Sequence, residues 1–62
     1  MKISEYDKNN IGKILEGQGT WFGACLIRLI AKADHENKEL LRQIYPSYVE
    51  AYLDWMYSPS NQ

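Results

Sequence analysis

Residues 21–33 constrain the fold more than any other segment, because nearly all of them are apolar. Thr20 precedes this stretch as an N-cap candidate, and the spacing predicts a central helix over 20–33. A helix that is apolar around most of its circumference is buried on more than one side. The predicted apolar face carries Phe22, Cys25, Leu26, Leu29, Ile30 and Ala33, widened by Ile27. The remaining narrow edge carries Trp21, Ala24, Arg28, Ala31 and Lys32.

The chain has few means of stabilising so apolar a helix alone. Its 62 residues allow one domain, and they include one cysteine and one histidine. Neither an internal disulfide nor a structural zinc site of Cys/His type can therefore form. A core of this size supplies only about 3–5 kcal/mol. Because 45% of the residues are hydrophobic, we predict a homo-oligomer in which another copy covers the surplus apolar surface.

Capping and stop signals predict an all-α bundle of three main helices plus a short N-terminal helix. Gly17 ends the first helix, Asp34 caps the third, and Pro46 ends it. Ser47 and Glu50 have the spacing of a capping box that opens the last helix. The predicted segments are a short helix over 7–17, the central helix over 20–33, a third helix over 35–44, a last helix over 47–57 and a frayed tail over 58–62. The residues predicted to face inward on the last two helices are Leu40, Leu41, Ile44, Val49, Tyr52, Leu53 and Met56.

Charge and hydropathy argue against nucleic-acid and membrane partners. The net charge is −1, whereas a duplex-binding module carries a basic surplus on one face. The longest apolar run covers 21–27, while a membrane span takes about 20 residues. The first residues are polar and give no secretory signal. Together with the unpaired cysteine, these features predict a soluble cytoplasmic protein.

No residue pattern points to catalysis. His35 is expected at the first position of the third helix, with no nucleophile tied to it by a motif. Cys25 is predicted on the buried side of the central helix, where a thiol behaves as a small hydrophobe. The sequence contains no metal-ligand set and no cofactor motif. We therefore predict that the protein is not an enzyme, with no catalytic residue, metal ion or cofactor.

Cationic and aromatic side chains form a candidate ligand site. Trp21, Arg28 and Lys32 share one edge of the central helix, whose N-terminus attracts anions through its free N–H groups. Rings combined with cations suit a phosphorylated nucleotide. Tyr48 and Tyr52, four positions apart on the last helix, could supply further rings for stacking. Each feature also has a plain structural interpretation. The charged edge is then solvated, the residues before the central helix form a turn with a cap, and the tyrosines belong to the core or to an interface. The candidate ligand-binding residues are Thr20, Trp21, Arg28, Lys32, Tyr48 and Tyr52.

One stretch of sequence carries a resemblance. Residues 19–34 read GTWFGACLIRLIAKAD, and Asn37, Tyr45-Pro46, Val49 and Ala51 follow. The pattern W-F-x(3)-L-x-R-L-I-x-K-A-D-x-x-N, then F/Y-P-x-x-V-x-A, is similar to that of small accessory proteins of bacteriophages and mobile elements. The resemblance covers residues 11–57. It implies a small helical anti-defence protein in the host-cell cytoplasm, of the type that sequesters a nucleotide immune signal.

Three functions therefore stand as hypotheses. The first is capture of a phosphorylated nucleotide in a site between subunits. The second is a protein–protein inhibitor or adaptor that docks an aromatic helical surface on a host protein. The third is a helical DNA-binding regulator, which is disfavoured because the surface of its recognition helix would be close to neutral.

Overall fold

A computed structural model describes residues 1–58, and within that range it contains helices and no strand. The prediction of an all-α fold is confirmed. α3 packs against α2 and α5, and α4 packs against α5. The predicted frayed tail, apart from Ser58, lies outside the described residues. The helices are α1 (Glu5–Asn9), α2 (Ile11–Leu15), α3 (Phe22–Lys32), α4 (His35–Ile44) and α5 (Pro46–Tyr57).

Two short helices stand where the sequence predicts one helix over 7–17. The Ser4 hydroxyl caps α1 by accepting a hydrogen bond from the Asp7 N–H at 3.1 Å. Asn10, with φ −126° and ψ 23°, interrupts the helix and separates α1 from α2. Gly17 ends α2 as predicted, with φ +111°. Its N–H donates to Ile14 and the next N–H donates to Lys13, which is the hydrogen-bond pattern of a Schellman motif.

The predicted caps of the later helices have different outcomes. The Asp34 carboxylate accepts from the Asn37 N–H at 2.9 Å and caps α4, as predicted. Thr20 does not cap α3, whose N-cap is Trp21 with no side-chain hydrogen bond. The predicted capping box is also wrong, because α5 begins at Pro46, a residue suited to the first turn. The Ser47 hydroxyl instead accepts from the N–H of Ile3 at 2.8 Å.

The chain buries only part of the predicted apolar face of α3: Leu26, Ile27 and Ile30 are buried, and Phe22 is exposed. Ala24, predicted on the narrow edge, is buried, whereas Cys25 and Leu29, predicted in the core, are exposed. The buried side carries Ile27 and Ile30, because α2 and α5 pack there. A helix with two apolar sides does not reveal which one its own chain covers. The buried hydrophobic residues are Ile11, Ile14, Ala24, Leu26, Ile27, Ile30, Tyr48, Val49, Ala51 and Tyr52.

Candidate functional site

Helices α3 and α4 together expose an apolar surface. Phe22 and Leu29 on α3 are 56% and 52% exposed, and Leu40 and Ile44 on α4 are 51% and 64% exposed. Between the helices lies a groove of about 490 Å³, which Leu29, Leu40, Leu41 and Ile44 help to line. We call the surface formed by Phe22, Leu29, Leu40 and Ile44 the α3–α4 face. Apolar side chains gathered on one surface mark an interaction site more often than scattered ones do.

α4 contributes to this face because the chain covers only one side of it. The side toward α5 carries Lys38 and Leu41, which are half-buried. The predicted inward positions of Leu40 and Ile44 are wrong, since both are exposed, and α4 has no buried residue. A ten-residue helix is marginal on its own in water and depends on packing of its apolar stripe. Part of that stripe therefore remains available for another surface.

A second hollow lies next to the groove. It has a volume of about 260 Å³ and is lined by Cys25, Arg28, Leu29 and Lys32. Leu29 and Lys32 also line the groove itself. These two residues therefore form a ridge along α3 with a depression on each side of it.

Arg28, a predicted ligand-binding residue, is engaged inside the chain. Its Nη1 donates to the carbonyls of Ile14 at 2.9 Å and Gln18 at 3.2 Å. Its Nη2 donates to the Gly19 carbonyl at 2.6 Å. The carbonyls at a helix C-terminus carry partial negative charge, which a cation stabilises. The guanidinium therefore caps the C-terminus of α2 and stabilises the turn that leads to α3.

Trp21 is likewise held by a partner within the chain. Its Nε1 donates to the Asp7 Oδ1 at 3.0 Å, and its ring lies edge-on to Tyr6 at a centroid distance of 5.9 Å. The same ring lies over Gly19, where the φ of +96° and the proximity of the indole both disfavour a side chain. The indole thus joins α1 to the start of α3.

The N-terminus of α3, expected to attract an anion, has a carboxylate of the chain beside it. Asp7 is buried, and its Oδ2 lies against Gly23 in the first turn of α3. A negative charge at this end of a helix is favourable. The Asp7 carboxylate therefore lies at the helix end where the sequence predicts that a ligand anion would bind. Thr20, next to this turn, is exposed.

The six candidate residues differ in exposure: Thr20, Trp21 and Lys32 are exposed, Arg28 is partly buried, and both tyrosines are buried. Tyr48 and Tyr52 are buried in the core, so neither offers the face of its ring to a ligand. The Lys38 ammonium lies 5.9 Å from the centroid of the Tyr52 ring. Of the predicted cations, Lys32 remains exposed at the edge of the groove. The sequence missed Leu40 and Ile44 as site residues, although their spacing marks an apolar stripe.

The environment of Tyr48 predicts a loss of stability in alkaline solution. Burial, together with the nearby charge of Asp7, raises the pKa of the Tyr48 hydroxyl above its ordinary value of 10.0. The folded chain therefore keeps a proton that the unfolded chain loses, so this contribution is complete below about pH 10 and is lost as the pH rises through the folded pKa. In urea unfolding between about pH 8 and pH 11, we expect Tyr48→Phe to lose less stability than the unmodified chain. Equal losses in the two proteins would contradict this assignment.

Within residues 1–58, no group of three His, Cys, Asp or Glu side chains is placed to hold a metal ion. None of the helices in that range is long and apolar enough to cross a membrane. Comparison with protein-family models, with curated proteins and with solved structures gives no match.

Proposed function

We propose that the protein is a non-enzymatic binding protein that acts through protein–protein contact at the α3–α4 face. The observation that carries this proposal is the exposure of four large apolar side chains, each more than half accessible, three of which line one groove. Protein interfaces have apolar and aromatic centres with polar rims. Lys32, Asp34 and Asn37 border the groove and provide such a rim. With the implied phage origin, this function takes the form of an inhibitor or adaptor that acts by contact.

The form of the groove also supports a protein ligand. An apolar groove between two helices accepts side chains from an amphipathic helix, with contacts repeated every three or four residues. Leu40 and Ile44 are four residues apart on α4 and present such a repeat. A nucleotide site needs free cations and an accessible ring instead, and the donors of Arg28 and the rings of both candidate tyrosines are used within the chain.

Site-specific photocrosslinking tests the proposal. A benzophenone side chain in place of Leu40 is expected to capture a protein when cells that express the chain are irradiated. The same group in place of Glu39 is the matched control, because that exposed residue pairs with Arg42 and does not line the groove. Equal capture from both positions, or no protein product from either, would contradict the proposal. Calorimetric titration with cyclic and ADP-ribose-type nucleotides is expected to give no binding, and a saturable signal there would favour the nucleotide hypothesis.

A further inference from the structure

The outer side of α3 carries four exposed residues in a symmetric arrangement. Phe22, Cys25, Leu29 and Lys32 are all exposed. They are separated by three, four and three positions, and residues with these spacings lie on one side of a helix. The sequence of spacings is the same in both directions along the helix. A symmetric row of exposed residues, with a groove beside it, can match a copy of itself.

We infer that the partner at the α3–α4 face is a second copy of this chain, whose α3 lies antiparallel to the first about a twofold axis. The inference rests on the proposed function and names its partner. In a twofold dimer the same patch is used by both subunits, so ridge and groove must be present on one surface. Leu29 and Lys32 form such a ridge, and the groove lies next to it. Ridges of one helix packing into grooves of another are the usual basis of helix contact.

Charge selects the antiparallel orientation. The row of Phe22, Cys25, Leu29 and Lys32 in one copy is aligned at its midpoint with the same row in the other. Phe22 then faces Lys32 of the second copy, and Cys25 faces its Leu29. An ammonium over an aromatic ring is attracted by the ring. The parallel orientation would instead place the two Lys32 ammonium groups together. In the antiparallel pair each Lys32 lies opposite Phe22 of the other copy, ten positions from the second Lys32. The two ammonium groups are therefore about 15 Å apart along the axis.

A second copy would also cover apolar side chains of α4 that the single chain leaves exposed. α4 has no buried residue, and Leu40 and Ile44 remain exposed on its outer side. Oligomerisation is one of the ways in which a domain of this size gains stability. An α3 helix that enters the groove of its partner covers Leu40 and Ile44 in both subunits at once.

Sedimentation equilibrium with matched variants tests the dimer. The unmodified protein is expected to have twice the 7.3 kDa mass of one chain. Leu29→Glu is expected to weaken the dimer by about 30-fold or more, the effect of losing a central interface contact. Met56→Glu is the control, because Met56 is 46% exposed on α5 and belongs to neither hollow. Circular dichroism verifies that both variants are folded.

Disulfide trapping tests the orientation. The two Cys25 Cα atoms are offset by about 6 Å along the axis on helices about 8–10 Å apart, which is beyond the reach of a disulfide. Mild oxidation is therefore expected to leave the unmodified protein without a covalent dimer. In Leu29→Cys the added thiol faces Cys25 of the second copy, so a covalent dimer is expected on a non-reducing gel. Met56→Cys, the control, is expected to give no covalent dimer.

The outcomes separate this inference from the proposed function. A 7.3 kDa monomer whose Leu40 position captures a different protein would overturn the dimer and leave the proposed function standing. A monomer with no crosslink would overturn both. A dimer that Leu29→Glu does not weaken would overturn the assigned interface. Equal oxidation of the unmodified protein and Leu29→Cys would overturn the antiparallel orientation.

Discussion

Gly23→Ala is expected to destabilise the folded chain by about 2–4 kcal/mol, because it overpacks a buried polar contact. A Cβ at position 23 would collide with the Asp7 Oδ2 and come within 3.3 Å of the Tyr48 hydroxyl. The carboxylate cannot move away without weakening its hydrogen bond with Trp21. The core of so small a domain supplies only about 3–5 kcal/mol. This one methyl group is therefore expected to remove much of the stability.

Gly12→Ala is the matched control, because Gly12 also lies in a helix and lacks a positive φ. A Cβ at position 12 would lie 3.4 Å from the Trp55 ring, an ordinary contact. Alanine also favours the helix over glycine by about 0.5–1 kcal/mol. The variant is therefore expected to match or exceed the stability of the unmodified chain. Urea unfolding monitored by circular dichroism measures both effects, and equal losses in the two variants would contradict the close packing of Asp7 on Gly23.

The second large effect is expected at Arg28. Arg28→Met keeps much of the side-chain volume but removes the donors that hold the carbonyls of Ile14, Gln18 and Gly19. Hydrogen bonds from charged groups contribute about 1.5–3 kcal/mol each, and Arg28 is partly exposed, so we expect a total loss of about 2–3 kcal/mol. Arg28→Lys is expected to recover part of this loss, since one ammonium lacks the planar fork of a guanidinium.

Arg42→Met is the control for Arg28→Met. Arg42 forms an exposed ion pair with Glu39 at 3.6 Å, and such surface pairs contribute only about 0–1 kcal/mol. Thermal unfolding of the two variants at equal protein concentration compares them. If Arg28→Met is as stable as Arg42→Met, the guanidinium does not secure the turn, and its assignment to a ligand regains support.

Local signals in the sequence were sufficient to predict the helical fold. Gly17 has the backbone freedom that a helix end requires, and Asp34 accepts the hydrogen bond expected of an N-cap. Pro46 separates the last two helices as expected, although it also begins α5. These features depend on interactions within a few residues along the chain, so the residue types alone predict them.

The candidate site depends on distant partners, which the sequence pattern does not specify. Arg28 and Trp21 each bind a residue 14 positions away, and Ser47 binds a residue 44 positions away. Each side chain has a plausible local or ligand-binding role until the packing of the helices supplies a partner. The two apolar sides of α3 are visible in the sequence, but only the positions of α2 and α5 decide that Phe22 and Leu29 stay exposed.

The most direct test of the α3–α4 face measures its solvent exposure in solution. Methyl NMR with a soluble paramagnetic relaxation agent compares Leu29, Leu40 and Ile44 with the Met56 methyl, since all are about half-exposed or more in the single chain. If the face is a contact surface between copies, the agent enhances the relaxation of its methyl groups less than that of the Met56 methyl. This difference disappears on dilution. If all four residues relax alike at every concentration, the α3–α4 face is open to solvent and the account of a self-associating protein is wrong.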